Sequence, residues 1–403
     1  MLLLTGAATT ASYAQTILSP LQEAIRIALG LTDNQMALLQ GPATALPLAI
    51  AGVPLGVLID RYSRVRFVVL FAALNIVGNL LTALAPNLIV LFGARCIVGL
   101  AVPGITIAAL SMIADLYEPA QRGRAFMVLT VGQVAGMSAA FALGGRLLSA
   151  FDATPDAWRW AMVWLTGPLV VLFCLLLAAR EPVRSGVVVD NPSFRAAFVE
   201  LWRYRTVLVP LLSGLILISI ANAASLLWTA PALSRDFGLA PAQIGTIMAT
   251  ALLISGLAGP VAGGLLVDYC QRTGGPRRAI SVVTALAFAS APTALYSAAP
   301  SSAAAVTLLV IFLTLSTTII VMASPVCTVV VPNEIRGLCI SLIGALTAPF
   351  SFGLAPILVS SASTAMGGPA MIGRALGVVG LLISILGGAV FAVGQRSTPA
   401  RVE

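Results

Sequence analysis

The sequence predicts an all-α membrane protein: twelve transmembrane helices in two pseudo-symmetric six-helix bundles. Three observations predict it. Of 403 residues, 59% are hydrophobic and only 9% charged, whereas soluble domains are about a quarter charged. The apolar residues fall into twelve stretches, each near the ~20 residues a spanning helix needs. The second half of the chain also repeats landmarks of the first at an offset of 208 residues. A closed β-barrel would need alternating strands of about ten residues, and no such alternation is present.

The spans are read as residues 2–28, 33–58, 67–85, 88–116, 124–150, 158–180, 205–234, 241–268, 278–298, 301–331, 336–362 and 370–394. Turn and capping residues punctuate them: Gly30-Leu31-Thr32-Asp33, Ala85-Pro86-Asn87, Ala299-Pro300 and Gly367-Gly368-Pro369. The first stretch lacks a positive n-region, so it reads as a spanning helix and not a cleaved signal. With the N-terminus cytosolic, 16 of the 22 basic residues lie in cytosolic segments, all but Arg26, Arg95, Arg146, Arg159, Arg235 and Arg374. The positive-inside rule then puts both termini in the cytosol. The net charge of +8 follows from this topology and does not call for nucleic acid.

All 22 basic residues are arginine, and there is no histidine. That excludes Ser-His-Asp and Cys-His sites, histidine metal ligands, Schiff-base lysines and P-loop lysines. Neither a metal nor a cofactor is expected. Cys96, Cys174, Cys270, Cys327 and Cys339 are scattered, form no CxxC, and read as packing residues without a disulfide framework.

The longest polar interruption, residues 181–204, separates a first bundle (1–180) from a second (205–395), with a cytosolic tail at 396–403. Phe194, Ala197, Phe198, Leu201 and Trp202 have helical spacing there, which favours a short surface helix. In the repeat, Gly30-Leu31 aligns with Gly238-Leu239 and Gln35 with Gln243. In the same register Gly56, Leu58, Asp60 and Arg64 align with Gly264, Leu266, Asp268 and Arg272. Arg122-Gly123 matches Arg336-Gly337 at a slightly longer offset. Parallel duplication of a six-helix unit is a transporter architecture, with substrate bound between the repeats.

The run Gly56-Val-Leu-Ile-Asp60-Arg61-Tyr-Ser-Arg64 resembles the loop signature of the major facilitator superfamily, G-x-x-x-D-R-x-x-R, and Gly264, Asp268 and Arg272 resemble its second-half echo. The resemblance covers the whole chain and implies alternating access. Physically, Gly56 lets a helix approach closely. Asp60 at the membrane edge can accept hydrogen bonds from Arg64 and face the positive N-terminus of span 11 at Arg336-Gly337. Asp268 would act likewise on span 5 at Arg122-Gly123. The alternative is a purely topological loop. The cytosolic gate set is Gly56, Asp60, Arg61, Arg64, Asp115, Arg122, Gly264, Asp268, Arg272 and Arg336.

Ile17-Leu-Ser, Gly30-Leu-Thr-Asp33-Asn-Gln35, Gly41-Pro42-Ala43, Ser111-Met-Ile-Ala-Asp115 and Arg122-Gly123-Arg124 look like the bacterial spinster-like branch. That resemblance implies amphipathic cargo and a bacterial inner membrane. The chain departs from the branch at two places. Ala14-Gln15 stands where an Asp-Arg pair is usual, and Leu100-Ala101-Val102-Pro103 where a Gly-Glu-Ala is usual. No acid remains in the middle third of any span, so the usual proton carriers are missing.

Arg95 lies well inside span 4. A buried arginine costs several kcal/mol unless paired, so it is either an anion counter-charge or a structural residue bonded to carbonyls or Gln133. Tyr13, Gln15, Ser19, Gln40, Gln133, Asn222, Trp228, Thr317 and Thr318 are the other candidate cavity residues. Spans 1, 4, 7 and 10 line the cavity in the resembled superfamily. Singly, each is as well explained by an interhelical hydrogen bond of about 0.6 kcal/mol. Gly132, Gly136, Ala140 and Gly144 in span 5, and Gly256, Gly259, Gly263 and Gly264 in span 8, form small stripes for close helix packing. The expected protein is a monomeric transporter of a small, amphipathic molecule, with or without a coupling ion. The competing readings are a small organic anion carried against Arg95, a membrane-embedded lipid enzyme, and a channel.

Overall fold

A computed structural model describes residues 1–151, 154, 156–179, 194–332 and 335–397. Most of the central loop and the end of the tail therefore lie outside the described residues. Every regular element among those described is helical, as hydrocarbon demands of a chain whose backbone groups must find partners internally.

Span 1 is α1 (Leu2–Thr16) followed by α2 (Leu18–Ala28), with a local break at Ile17. Pro20 has no N–H to give to Thr16 four residues back. Span 2 is α3 (Asp33–Gln40) and α4 (Pro42–Arg61), parted at Gly41 with Pro42 at the first helical position of α4. Then come α5 (Arg64–Leu84), α6 (Leu88–Leu116), α7 (Pro119–Ala150) and α8 (Ala157–Leu177). The short α9 (Phe194–Arg203) precedes α10 (Arg205–Phe237). In α9, Leu201 is buried and Trp202 exposed, while the side chains of residues 194–198 lie outside the description. α11 (Pro241–Thr293) turns at Gly275, φ 66°, and ends in a 3-10 turn, Ala294–Ala298. α12 (Ser302–Val329), α13 (Arg336–Ala365) and α14 (Ile372–Ser397) complete the chain.

Nine stretches among the described residues are long and apolar enough to cross a membrane, and one of them, Pro241–Ala298, is the doubled α11 segment. Counted as two, and joined by the α1–α2 and α3–α4 spans, they give the twelve that the sequence predicts. The breaks fall at the turn residues. Thr32, Ser63, Asn87 and Ser301 each cap a helix start by accepting from a backbone N–H three residues on.

The chain divides into two compact units. Unit 1 is Met1–Val187 with Leu233–Leu253, and unit 2 is Val188–Ala232 with Ile254–Glu403. The end of α10 and the first turns of α11 thus group with the first six spans.

In unit 1, α1 lies along the small stripe of α7. A side chain at Gly132 would strike Thr5 and Thr9, one at Gly136 the Thr9 carbonyl, and one at Gly144 the Pro20 ring. Gly145 and Gly245 oppose each other in the same way, over the carbonyls of Pro241 and Phe141. Phe71, Ile105, Met112 and Leu129 belong to the apolar core of this unit. In unit 2, Gly259 and Gly263 of α11 admit Thr317, Thr318 and Val321 of α12, and Leu215, Val283, Met322 and Phe391 sit in the core. At Gly264, by contrast, nothing lies within 4 Å of where a Cβ would sit. The close approach in α11 is made one residue earlier.

Gly136→Leu is expected to lose roughly 1–3 kcal/mol or more through overpacking against α1. Gly123→Ala, whose new methyl meets nothing within 4 Å among the described residues, should not lower the thermal midpoint and gains helix propensity. Thermal unfolding of the purified variants in detergent checks this, and equal midpoints would contradict the α1–α7 contact.

Candidate functional site

The polar side chains collect in four places. The first is the α4–α5 corner. The side chains of Gly56, Asp60 and Arg61 lie outside the description. Ser63 caps α5, which starts the helix at Arg64 and directs that side chain across to α6. There it pairs with Asp115 and donates to the Ser111 carbonyl at 3.4 Å. Both side chains are largely buried. Arg122 donates Nε to the Tyr117 carbonyl at 3.1 Å, beside this pair in sequence. In unit 2, Arg336 donates Nε to the Thr328 carbonyl at 3.0 Å, while Asp268 and Arg272 are exposed.

The second place is the interior of unit 1. Arg95 is 1% exposed. Its Nη2 donates to the Gln15 carbonyl at 3.0 Å, and its Nε and Nη1 have no partner among the described residues. The break near Ile17 lies two residues beyond Gln15. Tyr13 is buried and its hydroxyl has no partner among the described residues, and the same holds for the Asn75 and Asn79 side-chain oxygens on α5. Those two asparagines were not singled out in the sequence, although amides in an apolar helix are a usable signal. Gln15 and Gln133 are half-buried. Ser19 donates to the Gln40 oxygen at 3.0 Å, and Gln40 donates in turn to Gln22. This chain of three buried residues spends its polar atoms on itself and joins α2 to α3.

The third place is unit 2. Trp228 is buried and donates Nε1 to the Pro356 carbonyl at 3.2 Å. Thr317 donates to the Ser255 carbonyl at 3.1 Å and Thr318 to that of Gly259 at 3.2 Å. Both threonines therefore tie α12 to α11. Asn222 is half-buried. Thr229 and Tyr296 share a buried hydroxyl contact of 2.6 Å that sequence reading missed.

The fourth place is an ionic network absent from the sequence-based list. Arg235, in the last turn of α10, donates Nη2 to Glu23 at 2.6 Å. It also spans Asp33 with two bonds of 2.8 Å. Arg26 donates to Glu23 at 2.7 Å and lies 3.8 Å from Asp33. All four residues belong to unit 1. The fork-on-carboxylate geometry is that of the strong charge-assisted pairs.

The description Major Facilitator Superfamily belongs to the family model that matches residues 4–230. An MFS-type transporter of Aspergillus terreus is 26% identical over 204 residues, 44% of this chain and 35% of that protein. The puromycin resistance protein pur8 of Streptomyces alboniger is 34% identical over 176 residues, 41% of this chain and 32% of that protein. These matches span about a third of the relatives' own length. A crystal structure of a bacterial homolog to the human lysosomal transporter Spinster, inward-facing and unoccupied, superposes with a TM-score of 0.85 at 20% identity. It covers 98% of this chain and 96% of that one.

Breaking the Arg64–Asp115 pair from one side should be costly, because the remaining charge stays largely buried. Arg64→Ala is expected to lose about 3–5 kcal/mol. The double variant Arg64→Met/Asp115→Leu should recover much of the loss. Thermal midpoints of the single and double variants check this, and strictly additive losses would contradict the pairing.

Proposed function

We propose that this chain, which belongs to the Major Facilitator Superfamily, carries a small amphipathic molecule across a membrane by alternating access, without changing it chemically. The observation that carries the reading is the duplication, visible in backbone geometry as well as in sequence. Gly30 and Gly238 take φ 62° and 61°. Two residues after each, a backbone N–H donates to the glutamine side chain three residues on, Thr32 to Gln35 at 2.9 Å and Ala240 to Gln243 at 3.1 Å. Duplicated bundles with substrate handled between the repeats are how such transporters work.

The amphipathic class is supported by what the spans lack. No acid lies in the middle third of a span. Ser19, Gln40, Trp228, Thr317 and Thr318 spend polar atoms on neighbouring helices, which leaves fewer of them for a strongly polar cargo. The relative that is a puromycin resistance protein points the same way. The Arg64–Asp115 corner, with Asp60 before it and Asp268 in the second half, is the cytosolic gate of this reading. Both termini are placed in the cytosol and the protein, a monomer, in a bacterial inner membrane. A second reading, transport of a small organic anion, has one specific observation in its favour: the fully buried Arg95 keeps two nitrogens without partners among the described residues and could grip a carboxylate or phosphate.

A thermal-shift screen with two ligand panels decides between the readings. One panel holds lysolipids and other amphipaths, the other small carboxylates and phosphates. A true ligand at 100 times its Kd stabilises by about 2.7 kcal/mol. The first reading expects stabilisation by amphipaths that survives Arg95→Ala. Stabilisation by small anions that Arg95→Ala abolishes would overturn it in favour of the second.

A further inference from the structure

We infer that Arg235, Glu23, Arg26 and Asp33 form a releasable ionic clasp on the non-cytosolic side, holding the α10–α11 corner against the α2–α3 corner until the transporter opens outward. The inference rests on the transporter reading above, but its geometry stands alone. Sequence duplication supplies two like corners, each closed by a left-handed glycine, Gly30 after α2 and Gly238 after α10. Gly238 donates to the Ser234 carbonyl and Leu239 to that of Leu233, which ends α10 two residues after Arg235. The two corners carry unlike charges. In the register of the repeat, Glu23 faces Pro231, Asp33 faces Pro241 and Arg235 faces Ile27. Within the network the first corner supplies both acids and Arg26, and the second supplies Arg235, with Asp236 next to it in sequence. The ionic contact thus joins corners that the repeat made alike.

Asp33 and Arg235 also sit where their helices favour them. Asp33 lies in the first turn of α3, behind the Thr32–Gln35 capping box, at the positive end of the helix dipole. Arg235 lies in the last turn of α10, at the negative end. The network holds two acids and two arginines, so it is neutral as a whole. Its core is dry: the Arg235 side chain is 12% exposed and that of Asp33 5%. Its edge is wet, with Glu23 and Arg26 each 22% exposed. Water can therefore reach the pair and take over both partners as it parts, which a clasp that must open needs and a sealed ion pair would not allow.

The same contact holds backbone packing as well. Ala242 donates its backbone N–H to Ser149 at 3.2 Å, and Gly145 and Gly245 bring α7 and α11 together without side chains. Leu233, Ile244 and Met248 are buried in the same segment, but apolar contact is weakly specific in an apolar solvent, and Arg235 supplies the specific attraction. In this account Leu233–Leu253, grouped with unit 1, leaves it when the clasp releases.

The test uses Ile244→Cys, a buried position one turn into α11, as reporter in the full-length protein. A membrane-impermeant maleimide is applied to sealed right-side-out vesicles, with the protein lacking Ile244→Cys as the background. Arg235→Gln is expected to speed labelling roughly ten-fold, the change produced by about 1.4 kcal/mol of lost closed-state preference. Glu23→Gln with Asp33→Asn should do the same. Arg235→Lys, which keeps the charge but loses the fork, should fall between. Thermal midpoint and elution profile identify folded variants. Unchanged labelling in folded Arg235→Gln and in the double acid variant would overturn the clasp. Labelling reports the opening of the corner whether or not cargo moves. Faster labelling in a protein that carries neither ligand panel would support the clasp while sinking the transporter reading.

Discussion

Hydrocarbon offers no partner to a charge or to an open backbone group, and the arrangement of this molecule follows from that. Backbone groups are satisfied within helices. Ionic side chains are pushed to the helix ends, and those that stay largely buried are paired there: Arg64 with Asp115, and Arg235 with Glu23 and Asp33. Arg95 is the exception. It sits deep in α6, held through one nitrogen by a carbonyl of α1. Under the same constraint, a residue tolerated at that cost has work to do, whether in holding α1 to α6 or in meeting an anion.

Between apolar helices in an apolar solvent, burial supplies little drive to associate, so close packing and hydrogen bonds must do it. The glycines of α7 admit α1, and those of α11 admit α12. Hydroxyls of Thr317 and Thr318 then reach carbonyls across the gap that Gly259 and Gly263 leave. Glycine for approach and threonine for attachment operate as one device. The α10–α11 corner uses glycine for approach but an ion pair for attachment, with an exposed edge where water can solvate the partners as they part.

Much of this was legible in the residues. The apolar lengths predict the spans, and the proline and glycine breaks fall where the helices part. The repeat register of Gly30 and Gly238 reappears as a shared backbone angle. The stripe from Gly132 to Gly144 is a packing face, as its spacing predicts. What was not legible depends on who meets whom. Arg235 lies 212 residues from Glu23 and 202 from Asp33, and nothing in local sequence links them. Trp228 reads as a cavity residue because its helix is in the right place, yet its indole nitrogen finds a carbonyl of α13. Gly264 matches a loop signature, but the close contact belongs to Gly263. Arg64 also meets Asp115, 51 residues away, a partner that nothing in the local sequence suggests.

The central claim is that access alternates. The direct measurement is the reaction rate of single cysteines that the topology read from the sequence assigns to opposite membrane faces, Ile244→Cys and Gly337→Cys, probed separately from the two faces of sealed vesicles. The account predicts reciprocity: any ligand or substitution that raises reactivity at one end lowers it at the other. Rates that rise together, or that move independently, would contradict it and point to a channel or a static scaffold.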